Sequence, residues 1–134
     1  MADTIQLEIV TPERLVVNEA VEYIEIPGKT GYLGVLPGHA PLISELAACE
    51  LTYRMGNQTK RVAVAWGFAE VLQSKVTVLA ETAEKAEEID TARAEAAKKK
   101  AAAELQKAGP EGNAEAKAAL ERASARLEVA GKKS

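Results

Sequence analysis

The chain has one cysteine, Cys49, so no disulfide can close within it and no paired-cysteine metal spacing exists. Its single histidine, His39, cannot hold a metal without further ligands, and no carboxylate stands near it at ligand spacing. Ser44, Ser74, Ser124 and Ser134 lack the glycine-flanked elbow that exposes a nucleophilic serine, and nothing beside Cys49 marks it as an activated thiol. No distinctive carboxylate pair stands out, so the expectation is a chain that is not an enzyme by itself, with no metal and no required cofactor. Long hydrophobic runs are missing as well: no stretch approaches the roughly 18 apolar residues of a spanning helix. The opening MADTIQLEIV carries no basic segment before an apolar run, which argues against a secretory signal. Excess charge is small, −3 over 134 residues, and gives no general pull toward nucleic acid or an anionic membrane. Membrane association is expected only indirectly, through a partner.

What is present divides near residue 82. All the aromatics (Tyr23, Tyr32, Tyr53, Trp66, Phe68) and four of the five prolines precede that point. Ile5, Leu7 and Ile9 alternate with Gln6 and Glu8. Tyr53 and Met55 lead into the turn dipeptide Gly56-Asn57, and Val62, Val64 and Trp66 alternate beyond it. Val71 passes through Gln73-Ser74-Lys75 into Val76, Val78 and Ala80. Short alternating runs separated by turn residues predict an antiparallel β-sandwich or barrel over residues 1–84.

Alanine, lysine and glutamate dominate from there on, and all three favour helix. Ala94, Ala97, Ala101, Leu105 and Ala108 form one helical stripe; Ala116, Leu120, Ala123, Leu127 and Ala130 form another. Between them Gly109-Pro110-Glu111-Gly112 stops a helix and Asn113 can cap the next. Residues 85–134 therefore read as an antiparallel two-helix hairpin, with helices at about 89–108 and 114–130. Its large apolar residues are only Ile89, Leu105, Leu120, Leu127 and Val129. Burying each stabilises by roughly 1.5–3 kcal/mol, against a backbone entropy cost of about 1–2 kcal/mol per ordered residue. Such a hairpin is expected to dock on something and to be able to undock; the rival reading is an inert solvated tail.

The densest glycine and proline cluster is "PGKTGYLGVLPGHAP", residues 27–41. It contains Gly28-Lys29-Thr30, the end of the phosphate-cradling P-loop pattern, but Tyr23 stands where that pattern needs its first glycine. Glycines and prolines follow Thr30, so no phosphate-receiving helix can start there. The stretch must serve another purpose.

Extended to Leu42, this stretch closely resembles the signature loop of the epsilon subunits of bacterial F-type ATP synthases, and "VTVLAETAEKAEEID" resembles the segment that ends their β half. The resemblance runs from Ile5 to Ala130 in order. It implies a sandwich of about ten strands followed by a helical hairpin, in a non-catalytic rotor subunit of the central stalk. Such a subunit binds gamma, sits against the c ring and supports proton-driven ATP synthesis. It lies peripherally on the cytoplasmic face of the cell inner membrane. Its helices reach the alpha/beta catalytic head and inhibit ATP hydrolysis. The glycine-rich loop would be a contact surface, with Tyr32 and Leu33 at its exposed tip and His39 close by. The plainer alternative makes Leu33, Val35 and Leu36 core and His39 a turn cap.

"IDTARA", residues 89–94, is similar to the motif with which some epsilon subunits bind ATP without hydrolysing it. The resemblance implies a regulatory ATP held by Glu84, Ile89, Asp90, Arg93 and Ala94, with Arg122 and Arg126 one turn apart on the second helix. Those relatives carry a further arginine along the first helix, where this chain has Lys98-Lys99-Lys100. Asp90 as an N-cap and Arg93 as a surface charge remain open. A free-standing ATP-sensing module is the alternative function, and an adaptor with a helical tail is a third.

Overall fold

The computed structural model describes residues 3–108 and 113–131. The Gly109-Pro110-Glu111-Gly112 helix stop and the side chain of Ala108 lie outside the described residues. Eight strands come first: β1 (Ile5–Val10), β2 (Leu15–Val21), β3 (Tyr23–Gly28), β4 (Gly31–Val35), β5 (Leu42–Glu45), β6 (Cys49–Met55), β7 (Gln58–Val71) and β8 (Lys75–Lys85). A 3-10 turn, Ala86–Glu88, leads to helices α1 (Thr91–Ala108) and α2 (Ala114–Gly131). The strands bond in the order β2-β1-β8-β7-β6-β3-β4, with β5 also on β7. Every pairing is antiparallel except β1 with β8.

The sandwich thus has eight strands where about ten were expected. The difference lies in β7, 14 residues long, and β8, 11 residues long, which serve both layers without ending. The first half of β7 pairs with β6 and its last four residues pair with β5. The strand turns over at Trp66 and Gly67, whose φ values are 51° and 111°. Before the break Val62 and Val64 face the core; after it Ala69 and Val71 do. Trp66 therefore leaves the alternation that the sequence predicted for it and stands partly buried outside the core. A left-handed φ at a bulky residue is uncommon and marks local strain.

Period-2 alternation places Ile5, Leu7 and Ile9 inside, where they meet Ile24, Ile26, Leu51, Val76 and Val78 in one apolar cluster. Tyr53 is buried there, and its hydroxyl donates to Glu19 at 2.9 Å. Burial first, and that bond second, raise its pKa well above the ordinary tyrosine value, so it stays a donor. The β6–β7 hairpin turns at Gly56-Asn57, with Met55 facing Gln58 and Gly56 at φ 61°.

α2 packs against β6 and β7, and α1 packs against α2. Ala116 and Ala123 on α2 and Ala94 and Ala101 on α1 are buried. A second face of α2 meets the sandwich in a small cluster of Ala63, Ala86, Ile89, Ala125, Val129 and Ala130. Four of these six are alanines, so little apolar area holds the hairpin down, each methyl adding about 0.8 kcal/mol. Asn113 caps α2, its Oδ1 accepting the Ala116 N–H at 3.1 Å.

Candidate functional site

Three regions carry groups that chemistry or a partner could use. The first is the base of the hairpin. Asp90 caps α1: its Oδ1 accepts the Arg93 N–H at 3.1 Å and its carbonyl accepts the Ala94 N–H. Glu84, near the end of β8, faces α2, and the Arg126 guanidinium pairs with it at 2.5 Å. Glu84, Asp90, Arg93, Ala94, Ala97 and Arg126 enclose a cavity of about 90 Å³. Ligand pockets typically start near ~300 Å³, so this space admits a phosphate-sized group and not a whole nucleotide. Two guanidiniums and the free N–H groups at the start of α1 suit an anion there, and Glu84 can accept from an amine.

Five of the seven residues that the sequence assigned to a nucleotide thus meet in one place. Ile89 does not line the cavity; it is buried with Ala63, Ala125 and Val129. Arg122 is elsewhere as well. Its guanidinium lies 5.3 Å from the centre of the Trp66 ring and 3.6 Å from Glu115. The left-handed backbone at Trp66 is what leaves the indole on the α2 side. Ala97, one turn beyond Arg93, was missed; its membership in the α1 stripe was the available signal.

The 3-10 turn below this cavity is tied to the β1–β2 loop. Arg14 grips both carboxylate oxygens of Glu88 at 3.0 Å each, and Glu88 also accepts the Lys85 N–H. The Arg14 hydrogen bonds are the chief reason the Glu88 pKa falls below its ordinary value of 4.5. A depressed carboxylate contributes stability above its unfolded pKa and loses it as pH falls through the folded one, so this tie weakens only in acid.

The second region is the glycine-rich stretch. It forms the β3–β4 hairpin, whose turn is Lys29-Thr30, with Gly28 facing Gly31. No helix follows Thr30, so the phosphate-loop geometry is absent. Tyr32 and Leu33 lie within β4 rather than at the tip, because the turn closes three residues earlier than the glycines suggested. Leu33 packs against the main core and Val35 lies within it, but Leu36, just past the end of β4, is exposed rather than core. Tyr32 is half-exposed, and its hydroxyl donates to the Glu50 carbonyl at 2.9 Å beside the Cys49 sulfur. His39 closes a turn over Pro37-Gly38 through its N–H to the Leu36 carbonyl, and its Nδ1 lies 2.6 Å from the Ala40 carbonyl.

The third region was not foreseen. Phe68 on β7 faces Leu79 on β8, Leu79 faces Val10 on β1, and Val10 faces Leu15 on β2. The side chains of one register row share one face of a sheet, and Phe68, Leu79 and Leu15 are 54 %, 55 % and 53 % exposed. Ile43 of β5, 70 % exposed, stands two residues from Glu45, which faces Phe68 in the same row. An apolar row across four strands, open to water, is the kind of patch that marks a protein contact. The signal that could have found it is the WGF sequence, where Gly67 reverses the alternation and turns Phe68 outward.

Residues 4–86 match the family described as ATP synthase, Delta/Epsilon chain, beta-sandwich domain, and residues 87–131 match its long alpha-helix domain. A curated ATP synthase epsilon chain of Koribacter versatilis is 61% identical over 111 residues, covering 83% of this chain and 78% of that one. The epsilon chain of Lawsonia intracellularis is 48% identical over 108 residues, 81% of each chain. Among solved structures, the chain resembles one in the Euglena gracilis mitochondrial ATP synthase (OSCP/F1/c-ring) with TM-score 0.80 and 28% identity, covering 97% of this chain and 82% of that one. A chain of the Tetrahymena thermophila enzyme's central stalk and c-ring shares the fold at TM-score 0.55 and 12% identity, over 96% and 94%. The long β-sandwich match and the helical match meet end to end, and so the chain belongs to the ATP synthase delta/epsilon family, as a non-catalytic central-stalk subunit of the bacterial F-type epsilon kind.

Proposed function

We propose that the chain couples the gamma subunit to the c ring in a proton-translocating rotor, and that its helical hairpin, when released, brakes ATP hydrolysis in the alpha/beta head. The observation that carries the gamma contact is the exposed apolar row Phe68–Leu79–Val10–Leu15, in register across four strands. The Lys29-Thr30 turn, Leu36 and His39 supply the c-ring side, Leu36 being 57 % exposed. Tyr32 and Leu33 support that hairpin from within β4 rather than touching the ring. No helix among the described residues is long and apolar enough to cross a membrane, so the chain's place on the cytoplasmic face of the inner membrane comes through its partners.

The alanine-rich seat of α2 supports release of the hairpin, because two docked positions can exchange when neither buries much area. Titrating the chain into a catalytic head and gamma complex that lacks it tests this reading. Hydrolysis is expected to fall saturably, and a disulfide pinning α2 to β7 is expected to abolish the fall without preventing binding. Binding with unchanged hydrolysis would remove the brake; no binding would remove the rotor role.

A second reading is favoured by the Asp90–Arg93–Arg126 cavity: regulatory ATP seats its phosphates there and stabilises the folded hairpin. Arg126 must exchange Glu84 for the phosphate, and the cavity must widen for the rest of the nucleotide. In a calorimetric ATP titration, Arg93→Ala and Arg126→Ala are each expected to weaken binding about tenfold or more, as losing a charged hydrogen bond does. Arg122→Ala is expected to leave it unchanged, since that guanidinium sits on Trp66. Absence of heat from the intact chain at millimolar ATP would retire the reading.

A further inference from the structure

Trp66 stands in a conformation that a bulky side chain adopts only under strain, with φ at 51°. Glycine or asparagine would meet that backbone with less strain. What the indole does there is shown by its neighbour. The turn-over of β7 leaves the ring outside the core on the α2 side, and the Arg122 guanidinium lies over it, 5.3 Å from the ring centre. That is within the ~6 Å over which a cation is drawn to an aromatic face, and tryptophan offers the best such face. The Arg122 side chain is 26% exposed, so it is largely withdrawn from water, where such contacts are stronger. Arg122 also lies 3.6 Å from Glu115, but that pair is internal to α2 and leaves with the helix. The contact with Trp66 crosses from helix to sandwich and exists only while α2 is docked.

One turn further along α2, Arg126 crosses to Glu84. The two arginines hold the helix by different means. An anion at the hairpin base competes with Glu84 for Arg126, because Arg126 lines that cavity; Arg122 does not line it. We propose that Trp66 and Arg122 form a latch: the strained turn-over of β7 presents the indole, and Arg122 closes on it to keep α2 seated while Arg126 changes partners. The apolar seat beside the latch is mostly alanine, so one such contact is a large share of what holds the helix down. The inference rests on the releasable hairpin, and it deepens that reading by naming what keeps the hairpin closed.

Hydrogen exchange of α2 amides in the full chain reads the latch, with β1 and β8 amides as the internal reference. Arg122→Met keeps the apolar stem and removes the charge. It is expected to speed α2 exchange about fivefold or more and to leave β1 and β8 unmoved. Trp66→Asn removes the ring and relieves the backbone, and is expected to speed α2 at least as much without loosening β1 or β8. The two changes together are expected to be no faster than Trp66→Asn alone, because each breaks the same contact. A change of this size leaves the docked form predominant, so ATP affinity is not expected to follow it. Native α2 rates in Arg122→Met would overturn the proposal. So would an Arg122→Met effect that persists in full in the Trp66→Asn chain, or a Trp66→Asn chain whose β1 and β8 loosen with α2. Native α2 amides that exchange only as fast as those of β1 and β8 would instead refute the releasable hairpin itself. Altered exchange with unaltered hydrolysis in the reconstituted complex refutes the brake and leaves the latch standing.

Discussion

Gly67→Val is expected to abolish the folded state, and Gly67→Ala to cost more than about 4 kcal/mol. A Cβ at this position falls inside the contact distance of the Leu79 carbonyl oxygen, and lies 3.0 Å from the Leu79 carbonyl carbon and 3.1 Å from the Ala80 Cα. All three are backbone atoms of β8, bonded to β7 at this point through Gly67 and Ala80, so no side-chain rotation relieves the clash. The φ of 111° adds a second penalty, because side chains rarely adopt it. Domains of this size have only about 5–15 kcal/mol of stability in total. Gly31→Ala and Gly38→Ala are the controls: both glycines have positive φ but open space around them. They are expected to cost about 1–2 kcal/mol, the strain term alone. Urea unfolding followed by far-ultraviolet circular dichroism distinguishes the three. A Gly67→Ala loss no larger than those controls would mean that β8 yields at Leu79, and that the turn-over of β7 is not rigidly fixed.

Phe68→Asp combined with Leu79→Asp is expected to weaken the hold on gamma by about a hundredfold or more while changing the stability of the isolated chain little. Truncating central apolar residues of an interface commonly costs 2 kcal/mol or more, and an unpaired buried carboxylate adds to it. The isolated fold is indifferent because both side chains are already more than half exposed. The two aspartates face each other directly and repel, which is expected to cost up to about 1 kcal/mol. Surface plasmon resonance against gamma, beside thermal melting of the chain alone, checks both halves of the statement. Intact gamma binding would move that contact off the apolar row.

The β half was legible wherever side chains simply alternate. Ile5, Leu7 and Ile9 are core as expected, and Gly56-Asn57 is the turn it resembled. The helical stripes were legible for the same reason, since Ala94, Ala101, Ala116 and Ala123 are buried on a 3.6-residue period. Reading failed where the backbone itself reverses. Trp66 was assigned to the Val62–Val64 face, because nothing in a valine–tryptophan alternation reports a left-handed φ. The same reversal hid the outward Phe68. At the hairpin base Asp90, Arg93 and Arg126 do line one cavity, but spacing on a helix could not say that a partly buried indole would draw Arg122 away. The glycine-rich stretch misled in another way. Four glycines offered several places for a turn, and only pairing decided that Gly28 and Gly31 flank it.

The single parallel pairing in the sheet, β1 with β8, governs when the apolar row becomes complete. The first strand to leave the ribosome pairs with the last strand of the sandwich, so the sheet cannot close during most of synthesis. Until then β1 has only β2 beside it, and Val10 and Leu15 form a short apolar fragment with nothing next to it. Phe68 and Leu79 join that fragment only when β8 slides in beside Ile9 and Val10. The apolar row is thus split across the final folding step. A nascent or truncated chain cannot present it; only a completed sandwich carries the whole row.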